Sequence, residues 1–190
     1  MKSESFRKQA LCLVLFFAAV AAVFALTRLR SDPAKKQAEF VVQQLLSCSS
    51  AVEQAVDLMR AARQVFCLGQ GGSMLLANDI CARFSSLSNK FRTAGDSHLQ
   101  ILAASLMGPE DVVLFISYSG ATRDMLETLR TAKASGAKII LLTHYEDSPG
   151  AKLADIVLLC GAQESPLDSG NIPVKVALLY VAEVLVLRYT

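Results

Sequence analysis

The chain has 190 residues, 53% of them hydrophobic, which is enough for one domain with its own core and a short appendage. Its net charge of +2 at pH 7 provides no extended basic surface, so charge gives no support for nucleic-acid binding. The five cysteines show no CxxC spacing, which argues against a disulfide framework or a zinc site and indicates reduced thiols in a cytoplasmic protein.

An apolar run from Ala10 to Leu26 lies near the N-terminus, with lysine and arginine residues on both sides of it. Its length lies at the short limit for crossing a bilayer, so a membrane anchor, a secretory signal and a helix docked on the domain or on a partner all remain open. The flank after the run is slightly the more basic, which places the following domain on the cytoplasmic side. We therefore treat residues 1–31 as a hydrophobic segment through which the chain could associate with the inner face of a membrane.

Residues 32–63 are expected to form a helical lead-in. Asp32 and Pro33 provide a capping acid and a proline at the first helical position, and a helix is predicted at 34–46. A second helix is predicted at 51–63. Its apolar residues fall on one stripe: Val52, Val56 and Met59.

Residues 64–190 alternate short apolar runs with stretches of helical periodicity. Short continuous apolar runs are typical of parallel strands covered on both faces. The pattern therefore predicts an α/β fold, a three-layer α-β-α sandwich with a five-stranded parallel sheet. The predicted strands are 64–68, 90–94, 111–116, 138–143 and 156–159, and the predicted helices are 74–87, 97–107, 123–135, 148–153 and 174–188. The core contacts expected of the first of these helices are Leu75, Ile80, Phe84 and Leu87.

A hydroxyl-rich turn joins the predicted strand 111–116 to the predicted helix 123–135. Its residues are Ser117, Ser119, Gly120 and Thr122, among others. A helix N-terminus offers unpaired N–H groups and a partial positive charge, the hydroxyls add donors, and the glycine can take a positive φ close to a ligand. Because no lysine follows the glycine, this is not a P-loop for nucleoside triphosphates. The turn therefore predicts a phosphate-binding site.

A second turn of this kind lies upstream, where Gly69, Gly71 and Ser73 follow the predicted strand 64–68. Two such turns on neighbouring parallel strands would border one crevice beyond the carboxyl ends of the strands. A dinucleotide-binding interpretation, with Asp96 as the ribose contact, stays open. It leaves the hydroxyl turn without a role, and Met74 stands where its third glycine should be.

Together, the G-x-G-x-S turn and the S-x-S-G-x-T turn resemble those of the SIS (sugar isomerase) domain. The segment 96–100, followed by 111–122, is similar to the effector domain of RpiR/MurR-type bacterial transcription regulators, and the resemblance extends over about 41–190. It implies the flavodoxin-like SIS fold for 64–190, with a phosphorylated sugar or amino sugar as the ligand. The ligand-binding residues that the resemblance implies are Gly71, Ser73, Ser117, Ser119, Gly120 and Thr122.

Two histidines and one acid are further candidates. His98, at the start of the helix 97–107, could donate to a sugar hydroxyl at the pocket rim or simply lie on the surface, and His144 is expected to be structural. Isomerases of this superfamily use a glutamate or histidine to move a proton between sugar carbons. Glu164, in the polar loop before the last helix, is the acid we assign to that role if the chain is an isomerase; Asp168 has no better claim.

The resemblance thus implies the effector-sensing domain of an RpiR-like regulator, in which the sugar phosphate alters DNA binding by an N-terminal helix-turn-helix. The segment before Asp32 is mostly apolar and fits no helix-turn-helix, so we expect no direct DNA binding by this chain. The alternative is a stand-alone aldose–ketose sugar-phosphate isomerase. In either case the apolar helix 174–188 predicts a homodimer or homotetramer, and no cofactor or metal is implied.

Overall fold

The computed structural model describes residue 39 and residues 49–161 and 172–190. The chain divides into two units, Met1–Glu39 and Phe40–Thr190, and the fold below belongs to the second. The apolar run 10–26, most of the predicted helix 34–46 and the loop 162–171 lie outside the described residues. Within the part of the chain that the structure describes, no helix combines the length and the apolar character that a membrane span needs.

Helices and strands alternate along the described chain. In order they are α1 (Ser49–Ala61), β1 (Gln64–Gly69), α2 (Gly72–Ser85), β2 (Phe91–Arg92), α3 (Ser97–Ser105), β3 (Asp111–Ile116), α4 (Arg123–Ala134), β4 (Lys138–Thr143), β5 (Ile156–Leu159) and α5 (Ile172–Tyr189).

The five strands form one parallel sheet in the order β2-β1-β3-β4-β5, which confirms the predicted fold class. Consecutive residues of a strand point to opposite faces, and β3 is buried at every position. Its residues Val112, Leu114 and Ile116 belong to one core cluster, whereas Val113 and Phe115 belong to another. The sheet is therefore covered on both sides, as its continuous apolar strands indicate.

The two clusters assign the helices to the two faces. The first contains the buried residues of α1, α2 and α5, and the second contains those of α3 and α4. The stripe predicted on α1, namely Val52, Val56 and Met59, is buried in the first cluster. The apolar stripe of α5 is buried there as well: Val174, Leu178, Val181 and Leu185.

Two of the four core contacts predicted for α2 are wrong. Ile80 and Phe84 are fully buried, but Leu75 is 71% exposed and Leu87 is 44% exposed. Leu87 lies beyond the end of α2, and Leu75 lies in its first turn, on the side turned away from the sheet. The inward side of the helix is instead completed by smaller residues, among them Ala77 and Cys81.

The helix predicted at 148–153 is also wrong, since these residues form turns. The amide of Gly150 donates to the carbonyl of Gly120 over 2.8 Å, which is a tertiary contact outside its own segment. The strand predicted at 90–94 is shortened to Phe91–Arg92, at the edge of the sheet, where only one neighbouring strand is available for pairing.

Candidate functional site

The carboxyl ends of β1 and β3 lie side by side at the point where the strand order reverses. Gly69 at the end of β1 is paired with Ile116 at the end of β3. The helices that follow these strands, α2 and α4, pack on opposite faces of the sheet. Open α/β sheets bind ligands at such a point, because the two departing helices leave a crevice between them. The two predicted turns thus leave adjacent strand ends.

The hydroxyl turn at 117–122 is shaped by its own side chains. Ser117 is 6% exposed, and its Oγ accepts a hydrogen bond from the Gly120 amide at 3.3 Å. The Oγ of Ser119 accepts one from the Ala121 amide at 3.3 Å, and Ser119 itself is exposed. Gly120 has a φ of +59°, in the left-handed region that favours glycine. Ser117 therefore supports the turn from within, while Ser119 faces outwards.

The first turn of α4 presents a row of amides at this place. The first hydrogen bond of the helix runs from the Leu126 amide to the Thr122 carbonyl at 3.0 Å. Among the described residues, nothing accepts from the amides of Arg123, Asp124 and Met125, and the Thr122 hydroxyl makes no capping bond although Thr122 is the N-cap residue. Unbonded amides at the positive end of a helix dipole are suited to an anion such as a phosphate.

The glycine-rich turn between β1 and α2 is tightly closed. A Cβ built on Gly69 would lie 2.6 Å from the carbonyl oxygen of Ser73, so only glycine fits there. Gly71, the N-cap residue of α2, has a φ of +55° and offers no side chain to the helix. Ser73 follows in the first turn of α2 and is half-buried.

A cleft of about 370 Å³ adjoins this turn, between α2 and α5. Ser73 lines it, together with Asp79, Lys175 and several leucines. Ser117, Ser119, Gly120 and Thr122 are not part of the lining; Tyr118, in the middle of the hydroxyl turn, is the residue that the cleft and the turn share. The predicted residues therefore divide into two neighbouring groups, an amide-rich turn and a cleft. The charged lining residues Asp79 and Lys175 carried no sequence signal, because their position depends on how α2 and α5 pack.

His98 is exposed near the start of α3 and does not line the cleft. Asp96, the acid of the dinucleotide interpretation, is the N-cap of α3, and its Oδ1 accepts from the Leu99 amide at 2.9 Å. This carboxylate thus has a structural role in the fold. His144 stacks on Tyr118, with their ring centroids 5.0 Å apart.

Glu164 and Asp168 lie outside the described residues. Within the described residues, no group of three or more histidine, cysteine, aspartate or glutamate side chains is placed to hold a metal ion. The buried thiols of Cys67 and Cys81 form a pair between β1 and α2. The hydrogen bond to Cys67 lowers the pKa of Cys81 to about 6, with Ser85 and Arg92 contributing and burial opposing.

A family model of the SIS domain matches residues 58–188. The HTH-type transcriptional regulator RpiR of Escherichia coli K12 is 35% identical to this chain over 125 residues, which are 66% of the chain and 42% of that protein. An uncharacterized HTH-type transcriptional regulator of Clostridium perfringens strain 13 is 33% identical over 129 residues, 68% of the chain and 46% of that protein. The chain thus spans somewhat less than half the length of these relatives.

Solved structures show the same fold. The Vibrio vulnificus NanR protein complexed with ManNAc-6P is 24% identical, with a TM-score of 0.70 over 92% of this chain and 67% of that one. The sugar isomerase domain of the RpiR transcription factor from Sphaerobacter thermophilus is 23% identical, with a TM-score of 0.66 over 84% and 90%. A protein of Escherichia coli CFT073 in complex with a phosphosugar is 21% identical, with a TM-score of 0.71 over 83% and 85%. With its family match over 58–188 and its two turns at the reversal point of a five-stranded parallel sheet, the chain belongs to the SIS domain family, and RpiR-type regulators are among its relatives.

Proposed function

We propose that this domain binds a phosphorylated sugar, with the phosphate at the N-terminus of α4. The observation that carries the proposal is the row of amides at Arg123, Asp124 and Met125, which donate to no described acceptor and follow a fully buried strand. The exposed hydroxyls of Ser119 and Thr122 add two donors beside them. Hydrogen bonds of this kind to a charged oxygen are stronger than those to a neutral one.

The sugar would extend from the phosphate towards the β1–α2 turn. Tyr118 connects the hydroxyl turn to the cleft, where Ser73 and Lys175 present polar groups and leucines present an apolar wall. A volume of about 370 Å³ suits a small ligand. Gly71 supplies the turn that places Ser73. His98 remains a candidate contact at the rim, supported by its position after β2, whose carboxyl end lies next to that of β1.

We further propose that the domain senses this ligand rather than converting it, as the effector domain of an RpiR-like regulator. Two solved neighbours, the Vibrio vulnificus and Escherichia coli CFT073 proteins, are complexed with phosphosugars, which supports a sugar phosphate as the ligand. Relatives that are HTH-type regulators support a sensing role. The buried free thiols of Cys67 and Cys81 are compatible with a cytoplasmic location.

A second copy of the chain would cover the exposed apolar side of α5. The outer side of α5 exposes large apolar side chains: Val176 at 59% and Leu187 at 50%. A helix that is apolar on all sides is normally buried on all sides. A homodimer or homotetramer that covers this side of α5 would remove the apolar surface from water.

Titration calorimetry of the full chain tests the proposed ligand class. The panel is glucose 6-phosphate, ribose 5-phosphate, glucosamine 6-phosphate, ManNAc-6P and arabinose 5-phosphate, with the unphosphorylated sugars of the first three as comparison. We expect saturable binding of at least one phosphorylated compound and none of the free sugars. Ser119→Ala should weaken it about tenfold, the cost of one good hydrogen bond to a charged group, and Ser105→Ala, an exposed serine at the far end of α3, should leave it unchanged.

The same samples, followed by proton NMR, test for turnover. Conversion of an aldose phosphate into its ketose would replace the sensing role by the isomerase alternative and would make Glu164→Gln the next variant. A folded chain that binds no compound of the panel would contradict the proposed ligand class.

A further inference from the structure

The side chain of Gln100 reaches from α3 into the β1–α2 turn. It is fully buried, and its Nε2 donates to the carbonyl oxygens of Gly69 at 2.8 Å and Ala94 at 3.2 Å. The same nitrogen lies 3.8 Å from the Sδ of Met74. Gly69 is the first residue of the G-x-G-x-S turn and Met74 follows its last residue, so the side-chain amide of Gln100 contacts the chain on both sides of Ser73.

Among the described residues, no other side chain donates a hydrogen bond to the backbone of this turn. Its remaining hydrogen bonds within 70–74 are local, from the Ser73 amide to the Gln70 carbonyl and from the Met74 amide to the Gly71 carbonyl, both at 3.1 Å. The sheet and α2 hold the two ends of the turn, because Gly69 is paired with Ile116 and Ser73 lies in the first turn of α2. The side-chain amide of Gln100 adds a hydrogen bond from α3, on a third element.

The position of Gln100 is itself determined by the start of α3. The Asp96 carboxylate caps this helix by accepting from the Leu99 backbone amide. The backbone amide of Gln100 donates to the Asp96 carbonyl at 2.9 Å. The side chain of Gln100 therefore leaves the first turn of a capped helix. The Oε1 of Gln100 accepts no hydrogen bond from a described group, so the side chain acts through its two N–H bonds.

We propose that Gln100 is a positioning residue of the sugar-phosphate site: its amide holds the β1–α2 turn so that Ser73 faces the cleft. The inference rests on the proposed function for its ligand but on the contacts of Gln100 for its mechanism. It also assigns Asp96 a supporting role, through the cap that places Gln100. Ser73 contacts the ligand, whereas Gln100 is fully buried and acts through the turn.

The proposal can be tested by replacing the amide of Gln100 with a carboxyl group, whose charge depends on pH. In Gln100→Glu the Nε2 nitrogen, which carries both N–H donors, is replaced by one carboxyl oxygen that faces the carbonyls of Gly69 and Ala94. An ionised carboxylate is repelled there, whereas a protonated one can donate to one carbonyl, and burial raises the pKa of such a group. The defect of this variant should therefore diminish as the pH falls. Gln100→Met keeps the length of the side chain without donors, so its defect should not depend on pH.

The experiment compares wild type, Gln100→Glu, Gln100→Met and the control Gln54→Glu in the full chain. Gln54 is exposed on α1. At pH 7.5 we expect both Gln100 variants to bind the tightest compound of the panel about tenfold more weakly than wild type, and the control to match wild type. At pH 5.5 the ratio to wild type should shrink for Gln100→Glu only, and comparison at each pH removes the titration of the ligand itself.

Binding of inorganic phosphate distinguishes a misplaced β1–α2 turn from a general loss of structure in the Gln100 variants. It needs only the amides of α4, so its NMR shifts at Arg123 and Asp124 should be the same in wild type and in the Gln100 variants. Equal loss of inorganic phosphate and sugar phosphate, or wild-type affinity in both Gln100 variants, would overturn the proposal. If Gln100→Glu fails to fold, Gln100→Met with inorganic phosphate decides the question. If wild type binds no sugar phosphate, the proposed function fails, while the ligand-free amide shifts of Gly71 and Ser73 still show whether the turn follows the introduced carboxyl.

Discussion

The amide of Gly150 donates to the carbonyl of Gly120 over 2.8 Å, which joins the turn after β4 to the hydroxyl turn after β3. Side chains of Thr143 and Ser148 fill the space next to the Gly120 Cα. A Cβ built there would lie 2.6 Å from the Cβ of Ser148 and 2.9 Å from the Oγ1 of Thr143. The hydroxyl turn is thus supported by a backbone hydrogen bond from Gly150 and by the side chains of Thr143 and Ser148.

Gly120→Ala should both destabilise the fold and abolish phosphate binding, because the new Cβ has no room and the φ of +59° is unfavourable for alanine. We expect the free energy of unfolding to fall by about 2 kcal/mol or more, measured by urea denaturation. Gly72→Ala is the matched control, since its Cβ would meet nothing within 4 Å and its φ is not positive. Equal stability of the two variants would contradict the close packing described for Gly120.

Thr122→Val should separate ligand binding from stability. The Thr122 hydroxyl makes no capping bond, so the free energy of unfolding should change by less than about 0.5 kcal/mol, while affinity for the sugar phosphate should fall about tenfold. Thr131→Val, on the same helix, loses a 2.9 Å bond to the Glu127 carbonyl and should leave affinity unchanged. A Thr122→Val protein that is less stable yet binds normally would show that this hydroxyl is a helix cap and not a ligand contact.

Asp111, the first residue of β3, is bonded to Arg63, which lies between α1 and β1. The Arg63 guanidinium donates to both carboxylate oxygens at 3.0 and 2.6 Å, and the Gly108 amide donates at 2.9 Å. Burial acts to raise the pKa of Asp111, but these hydrogen bonds together outweigh it and hold the pKa below its usual value of 3.8. Because the folded pKa is the lower one, the stabilisation is fully present above the unfolded pKa and is lost as the pH falls through the folded pKa.

Asp111→Asn should therefore cost about 1–3 kcal/mol of unfolding free energy at pH 7, measured by urea denaturation. Between pH 5 and pH 2.5 the wild type should lose stability more steeply than this variant. Asp57→Asn, on the exposed side of α1, should follow the wild-type curve. Parallel curves for wild type and Asp111→Asn would contradict the lowered pKa.

Cys81 should be the more reactive of the two paired thiols. The hydrogen bond to Cys67 lowers the pKa of Cys81 to about 6, whereas the hydrogen bond to Cys81 and burial raise the pKa of Cys67. Alkylation by iodoacetamide, followed by mass spectrometry, should be slow because Cys81 is 7% exposed, with a midpoint near pH 6. Cys67→Val should move that midpoint upwards and Cys67→Ser should move it less. An unchanged midpoint in Cys67→Val would exclude the hydrogen bond as its cause.

The strands and the two turns could be predicted from the sequence because their signals are local. β3 and β4 are apolar runs of nearly uniform burial, and the turn at Ser117–Thr122 carries its own glycine and hydroxyls. The prediction at 148–153 was wrong, since these residues form turns. The bond from the Gly150 amide to the Gly120 carbonyl is a tertiary contact that no local pattern indicates. The lining of the cleft could not be predicted either, because its residues come from α2, the hydroxyl turn and α5.

Gln100 shows the same limit at the β1–α2 turn. In the sequence it is a polar residue between two apolar ones, Leu99 and Ile101. Leu99 is 50% exposed and Gln100 is fully buried, the reverse of what hydropathy predicts. Gln100 is buried because its side chain donates to the carbonyls of Gly69 and Ala94, which lie near the carboxyl ends of β1 and β2. Buried carbonyls of this kind are normally hydrogen-bonded.

Amide NMR of the full chain, titrated with a sugar phosphate of the panel and with its unphosphorylated sugar, tests the proposed site most directly. We expect the phosphorylated compound to shift the amides of Arg123, Asp124 and Met125 in a saturable manner, together with that of Ser73. The free sugar should leave the three α4 amides in place. Equal shifts from both compounds, or shifts confined to residues away from these two turns, would contradict the assignment of the phosphate to the start of α4.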